Sequence, residues 1–181
     1  MSADRARPVA AAETLAFIAL GSNLGDSPRL LREAAARLAV LSTCPLLRSS
    51  LWRTAPVACP PGAADFLNAV IAIGPPPGET PGSLLVKLRA LEQAFGRRPK
   101  TILYEARPLD LDLITFGGAV ATSAVLTLPH PRATGRRFVL APLAEIAPDL
   151  VLPGQRKSVR ELLAKLPPAG CVRLTTPGQA W

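Results

Sequence analysis

Apolar and polar residues alternate most regularly in the stretch 107–114 of the chain. Read as a strand, it places three leucines on one face and two carboxylates on the other: Leu109, Leu111 and Leu113 against Asp110 and Asp112. The two carboxylates are then about 7 Å apart on one face, where two like charges need a cation nearby. Alternation is also the default of a half-buried strand, so this pattern alone leaves an exposed face without chemistry as an open alternative.

The periodicity of the remaining chain predicts strands and helices that alternate around this stretch. An N-cap at Asp26 or Ser27 followed by Pro28 predicts where the first helix begins, and Gly117 with Gly118 predicts a hairpin turn. A basic loop is expected at 97–106. The predicted strands are 14–20, 46–54, 66–73 and 107–114, and the predicted helices are 27–41, 83–95, 138–147 and 159–166.

This order of elements, β-α-β-β-α-β with further helices near the C-terminus, is typical of an α+β domain with a ferredoxin-like antiparallel sheet. The 181 residues suit one domain. We expect that domain to span 14–167, between a disordered tail at 1–13 and a weakly specified tail at 168–181. No internal repeat divides it.

Composition and charge narrow the class of protein. Hydrophobic residues make up 49% of the chain, which excludes a disordered polymer. The balance of 21 Lys+Arg against 13 Asp+Glu gives a net charge of +8, which favours anionic partners. Three cysteines without metal-ligand spacing indicate a reducing compartment. Residues 1–13 lack the apolar stretch typical of a signal sequence, and no apolar run approaches the length of a membrane span, so we expect a cytoplasmic protein with no membrane partner.

Candidate chemistry centres on the two aspartates. Mg²⁺ is usually held by one or two carboxylates together with substrate phosphates, and Asp110 with Asp112 fits that demand. The basic residues before the strand, Arg97 and Arg107 with Arg98 and Lys100, would neutralise phosphate charge. A Walker P-loop is absent, because the glycines at 21 and 25 are not followed by Gly-Lys.

Two further features bear on ligand binding. Phe66 and Asn68 share a strand face, so a ring and an amide could hold a flat heterocycle by stacking and by hydrogen bonds, although core packing of the ring stays open. His130 is the single histidine and lies between two prolines. It suits donation of a hydrogen bond to a phosphate and a structural role equally. A zinc site is not expected, because there is no second histidine and the cysteines are scattered.

In order along the chain, these segments resemble the 6-hydroxymethyl-7,8-dihydropterin pyrophosphokinase family of folate biosynthesis. The resemblance covers about 15–166. Its motifs are Gly21-Ser22-Asn23-Leu24-Gly25, Arg53-Thr54, Phe66-Leu67-Asn68, the stretch 107–112, Pro129-His130-Pro131-Arg132 and Phe138. Each is weak alone, but the ordered set is specific.

The resemblance implies transfer of the terminal diphosphate of ATP to the hydroxymethyl group of the reduced pterin, with release of AMP. It implies a catalytic group of Arg97, Arg107, Asp110 and Asp112, with both aspartates holding two Mg²⁺ ions. It implies a pterin site of Thr54, Val57, Phe66, Asn68 and Phe138. It implies an ATP site of Glu92, Arg97, Arg107, Leu113, His130 and Arg136.

The chain departs from the family pattern at three positions: Tyr104 stands where some members have tryptophan, and Pro99 and Val125 stand at positions that are basic elsewhere. An inactive homologue is therefore one alternative. A second is a basic, non-catalytic nucleic-acid-binding domain of ferredoxin-like shape, although the strand motif of such modules is absent. We expect a monomer that binds ATP and the pterin and no nucleic acid.

Overall fold

The computed structural model describes residues 14–56, 64–97, 106–168, 170–174 and 181. These residues form a mixed α+β architecture with an antiparallel sheet and four α-helices, as predicted. The predicted tail at 1–13 and the residues Val57, Pro99 and Tyr104 lie outside the described residues. The strands are β1 (Ala16–Ser22), β2 (Leu47–Arg48), β3 (Trp52–Thr54), β4 (Phe66–Ile73), β5 (Asp110–Phe116), β6 (Ala121–Thr122), β7 (Thr127–Leu128) and β8 (Cys171–Arg173), and the helices are α1 (Ser27–Ala39), α2 (Pro81–Ala94), α3 (Arg137–Ile146) and α4 (Val159–Leu163).

The main sheet runs in the order β5-β1-β4-β3-β8, and β2 also pairs with β4. All of these pairings are antiparallel. The central strands β1 and β4 are buried over almost their whole length, which their continuous apolar sequences require.

The sheet is covered on both faces. Leu111 and Leu113 belong to the core formed with α1 and α2. Ile114, on the aspartate face of β5, packs in a second core with Val139 and Leu140 of α3. The alternation predicted for the strand is thus confirmed. The core residues of α3 pack at the Ile114 end of this face and not at the Asp110 end.

The helix ends follow the predicted local signals. The Asp26 side chain accepts a hydrogen bond from the Arg29 N–H at 3.1 Å and caps α1. Gly96, just after α2, has a φ of +87°, the left-handed conformation that favours glycine at a helix C-terminus. Among the described helices, none is long and apolar enough to cross a membrane.

Two predicted elements were wrong in detail. The single strand expected at 46–54 is divided into β2 and β3, because Ser50 turns its N–H to the Glu145 carboxylate at 2.6 Å instead of continuing the ladder. The turn expected at Gly117 and Gly118 forms, since the Ala119 N–H donates to the Phe116 carbonyl at 2.9 Å. The strands on either side of it do not pair as a hairpin, because β6 pairs with β7 while β5 pairs with β1.

The segment after α4 contains structure that the sequence did not predict. Strand β8 pairs with β3 at the sheet edge. Trp181 is buried against the core, where its indole N–H donates to the Ser49 carbonyl at 2.6 Å. The predicted helix 159–166 is shorter than expected and ends at Leu163.

Candidate active site

Strand register brings together Asn68, from the predicted pterin site, and Asp110, a predicted metal ligand. Gly21 of β1 pairs with Asn68 of β4 on one side and with Asp110 of β5 on the other. Directly paired residues of antiparallel strands point to the same face. The amide and the carboxylate therefore share one face, with only a glycine between them.

The side-chain amide of Asn68 is held in place by burial and by a hydrogen bond. Asn68 is buried, and its Nδ2 donates to the hydroxyl of buried Thr54 at 2.8 Å. Phe66 pairs with Thr54 across β3 and β4 and lies half-buried on the same face. A fixed amide beside an aromatic ring is the arrangement predicted for a flat, polar-edged heterocycle.

Two arginines hold Asp110. Arg97 Nη1 lies 2.9 Å from Asp110 Oδ1, and Arg107 Nη2 lies 2.9 Å from Asp110 Oδ2. The Arg107 guanidinium carbon also lies 5.8 Å from the centre of the Phe66 ring, within cation–π range. Arg107 therefore joins the carboxylate to the aromatic part of the site.

Glu92 lies behind this group on α2 and is buried. Its carboxylate accepts from the Leu111 N–H at 2.7 Å and from the Arg97 guanidinium. Burial raises the pKa of Glu92, while the Leu111 N–H and Arg97 oppose the rise. Glu92 therefore orients Arg97 and also provides the hydrogen-bond acceptor for the Leu111 N–H at the outer edge of β5.

Asp112 is more exposed than Asp110, at 40% against 19% for the side chains. Its Oδ2 lies 3.8 Å from both His130 Nε2 and Arg136 Nη1. These separations leave Asp112 loosely held by His130 and Arg136 and accessible to a ligand.

His130 is placed by its backbone, because its N–H donates to the Ile114 carbonyl of β5 at 2.8 Å. Burial lowers the pKa of His130, and Arg136 and Arg132 lower it further while Asp112 opposes them. The neutral ring accepts the Arg132 N–H at Nδ1, 3.3 Å away. The ring proton is then on Nε2, facing Asp112.

Phe138 lies in the first turn of α3, partly buried against the second core. The Arg136 guanidinium carbon is 5.4 Å from the centre of its ring. The site thus contains two arginine–aromatic pairs, one beside each aspartate.

A cleft of about 250 Å³ opens beside Asp112 and His130, between α2, β5 and the β6–β7 hairpin. Leu85 and Leu113 contribute to its lining, and Arg89 Nη2 donates to the Val125 carbonyl at 3.2 Å. Sequence reasoning found Leu113 but missed Leu85 and Arg89. Both lie on a helix whose pattern signals only packing, and α2 meets the hairpin only in the folded chain.

The carboxylates of Asp110 and Asp112 are suitable ligands for magnesium but do not by themselves form a complete coordination shell. Among the described residues, no three His, Cys, Asp or Glu side chains gather around one point. Asp110 and Asp112 offer oxygen ligands from one strand face, which suits an ion completed by water and substrate phosphates.

The predicted residues therefore fall into two adjoining groups, apart from Val57, which lies outside the described residues. The first is linked by contacts around Asp110, and the second surrounds Asp112 and the cleft. The first contains Thr54, Phe66, Asn68, Glu92, Arg97, Arg107 and Asp110, and the second contains Asp112, Leu113, His130, Arg136 and Phe138.

Several curated proteins similar to this chain carry the name 2-amino-4-hydroxy-6-hydroxymethyldihydropteridine pyrophosphokinase. The protein from Methylorubrum extorquens is 41% identical over 165 residues, which cover 89% of this chain and 99% of that protein. The protein from Synechocystis sp. is 38% identical over 151 residues, which cover 83% and 75%.

Among solved structures, a Plasmodium falciparum HPPK-DHPS triple mutant with pteroate matches with a TM-score of 0.63 at 14% identity. The match covers 84% of this chain and 43% of that one, so the chain spans less than half of that protein. At this identity, the likeness concerns the fold alone. The model of the 7,8-dihydro-6-hydroxymethylpterin-pyrophosphokinase (HPPK) family matches residues 17–148, and with the close relatives this establishes that the chain belongs to that family.

Proposed function

We propose that this protein transfers the terminal diphosphate of ATP to the hydroxymethyl group of 6-hydroxymethyl-7,8-dihydropterin, giving AMP and the pterin diphosphate, in folate biosynthesis. One observation carries the proposal. Asn68 and Asp110 flank Gly21 on one face of the sheet, so an amide pocket for a heterocycle adjoins an arginine-bound carboxylate for phosphate chemistry.

In this proposal Asn68 and Thr54 bind the edge of the pterin, while Phe66 and Phe138 contact its faces. The hydroxymethyl oxygen then attacks the β-phosphorus in line. The new O–P bond forms as the bond from the β-phosphorus to the oxygen of the α-phosphate breaks, AMP leaves, and the hydroxyl proton passes to water. Positioning supplies most of the acceleration, because both reactants are held in one orientation.

The cationic side chains stabilise the charge of the triphosphate. Arg97 and Arg107 lie on the Asp110 side, and Arg136 with neutral His130 lies on the Asp112 side. Guanidinium groups pair with phosphate in a bidentate manner, and the imidazole donates from Nε2. The cleft between α2 and the β6–β7 hairpin is the proposed place of the nucleoside, with Leu113 in its wall.

Asp110 and Asp112 are the proposed ligands of two Mg²⁺ ions that bind together with ATP. When bound, magnesium supplies charge neutralisation at the attacking and leaving oxygens. Asp110 would exchange an arginine contact for a contact with the metal, whereas half-exposed Asp112 is already accessible.

The finer features of the fold and setting belong to the same proposal. The order of β5, β1, β4 and β3, with α1 after β1 and α2 after β4, supports a ferredoxin-like topology. We propose a cytoplasmic monomer with ATP and the pterin as its partners. Membership of the pyrophosphokinase family does not favour the nucleic-acid-binding alternative.

The test is AMP formation from ATP, measured with both Mg²⁺ and the hydroxymethyl pterin and then with each omitted. The proposal expects AMP only in the complete mixture. No AMP above background at saturating substrates would reject diphosphate transfer and support the inactive-homologue alternative. AMP formed without the pterin would reject the pterin as acceptor.

A further inference from the structure

Asn23 and Arg107 form a two-way pair outside the strands. The Asn23 N–H donates to the Arg107 carbonyl at 3.2 Å, and Asn23 Oδ1 accepts from the Arg107 N–H at 2.9 Å. β1 ends at Ser22 and β5 begins at Asp110, so this pair continues their pairing with a side chain in place of a backbone group. One residue thereby satisfies both backbone polar groups of Arg107.

These two hydrogen bonds fix the backbone position from which the Arg107 side chain extends. With its backbone held on both sides, Arg107 places its guanidinium 2.9 Å from Asp110 Oδ2 and over the Phe66 ring. The guanidinium thus lies where the aromatic and carboxylate parts of the site adjoin. A small backbone shift at Arg107 would be transmitted to both contacts.

The buried side chain of Asn23 has one polar group without a partner among the described residues. Asn23 is only 7% exposed, and the unpaired group is its buried Nδ2. An unpaired buried donor costs stability. A side chain that retains this cost while binding the backbone of an active-site arginine is typical of a functional position.

We propose that Asn23 is a positioning residue that acts through Arg107 in diphosphate transfer, an inference that rests on the function proposed above. Asn23 does not touch the reacting atoms in this proposal. It determines where Arg107 places its positive charge relative to Asp110 and the ring of Phe66.

The experiment is a double-mutant cycle on AMP formation with Asn23→Ala, Arg107→Ala and the double variant. Asn23→Ala is expected to lower kcat about 100-fold, the effect of a misplaced catalytic group, with both KM values within about threefold. In the Arg107→Ala background the same change is expected to lower kcat less than about threefold, because coupled residues are not additive.

Two further variants separate positioning from folding. Asn23→Asp keeps the shape and the Oδ acceptor, and is expected to retain more than about a tenth of kcat. Ser49→Ala removes a buried hydroxyl that accepts the Val70 N–H at 2.9 Å. It serves as the matched control, expected to lower the unfolding temperature with little change in kcat.

Equal losses from Asn23→Ala with and without Arg107 would overturn the inference while leaving the proposed function in place. So would an Asn23→Asp loss as deep as a 100-fold decrease in the folded protein. Wild-type protein that forms no AMP would overturn the proposed function and this inference with it.

Discussion

The amide oxygen of Asn68 lies 3.3 Å from the position that a Cβ atom would occupy at Gly21 on the neighbouring strand. The same position lies 3.8 Å from Asp110 Cβ. Glycine at 21 therefore keeps open the strip of sheet between the proposed pterin amide and the carboxylate.

Gly21→Ala should weaken pterin binding more than nucleotide binding. The new methyl group pushes on an amide that Thr54 already holds at 2.8 Å, so Asn68 must shift. We expect the pterin KM to rise about tenfold, which corresponds to about 1.4 kcal/mol, with the ATP KM nearly unchanged.

Gly118→Ala is the matched control, because a Cβ there meets nothing within 4 Å. Steady-state kinetics with each substrate varied in turn would check the prediction. A similar pterin KM in both variants would contradict it.

Asp110→Ala and Asp112→Ala should both abolish turnover but should differ in stability. Loss of Asp110 leaves Arg97 and Arg107 side by side without their shared carboxylate, and we expect a cost of about 2 kcal/mol. Asp112 is held only loosely, because His130 and Arg136 are each 3.8 Å away, so its removal should change the unfolding free energy little.

Urea unfolding and AMP formation together test this contrast. Asp65→Ala is the control, since Asp65 is 53% exposed and, among the described residues, forms an ion pair only with Arg53, at 3.8 Å. Activity retained in both site variants would refute the metal assignment.

Phe66→Ala should reduce pterin affinity far more than affinity for an ATP analogue. It removes the proposed stacking surface and one contact of Arg107, and loss of an aromatic stacking partner costs about 1–3 kcal/mol. Calorimetric titration with each ligand separately measures the two effects. Equal losses for both ligands would argue against stacking at this position.

Relative to the wild type, the Glu92→Gln variant should become more stable as the pH rises. Burial raises the folded pKa of Glu92 above its ordinary value of 4.5. The stability that the protonated form contributes is present below pH 4.5 and is lost as the pH rises through the folded pKa. The uncharged amide avoids that loss, yet turnover should fall because Arg97 loses its carboxylate partner.

Thermal unfolding of the wild type and of Glu92→Gln, from below pH 4.5 up through the folded pKa of Glu92, measures the difference. Glu161→Gln is a control of opposite sign, because hydrogen bonds from Ser158 lower the pKa of exposed Glu161. That contribution is present above pH 4.5 and is lost as the pH falls through the folded pKa. Parallel pH profiles for wild type and Glu92→Gln would contradict the buried-carboxylate account.

Local patterns predicted the elements that depend on local physics. Strand β4 has the predicted bounds, and Asp26 and Gly96 mark helix ends as expected. The split of 46–54 was missed, because it depends on Glu145 from α3, and β8 was missed because a three-residue edge strand has no periodicity of its own.

The sequence by itself determined that Asp110 and Asp112 share a face, because side chains alternate along any strand. Through the order of its motifs it also indicated the family, which the comparisons confirm. Only the tertiary structure decided that Asp110 faces Asn68 across Gly21, that Asn23 holds Arg107 and that Glu92 lies behind Arg97. These relationships depend on strand register and helix packing, which join distant segments and leave no spacing in the chain to reveal them.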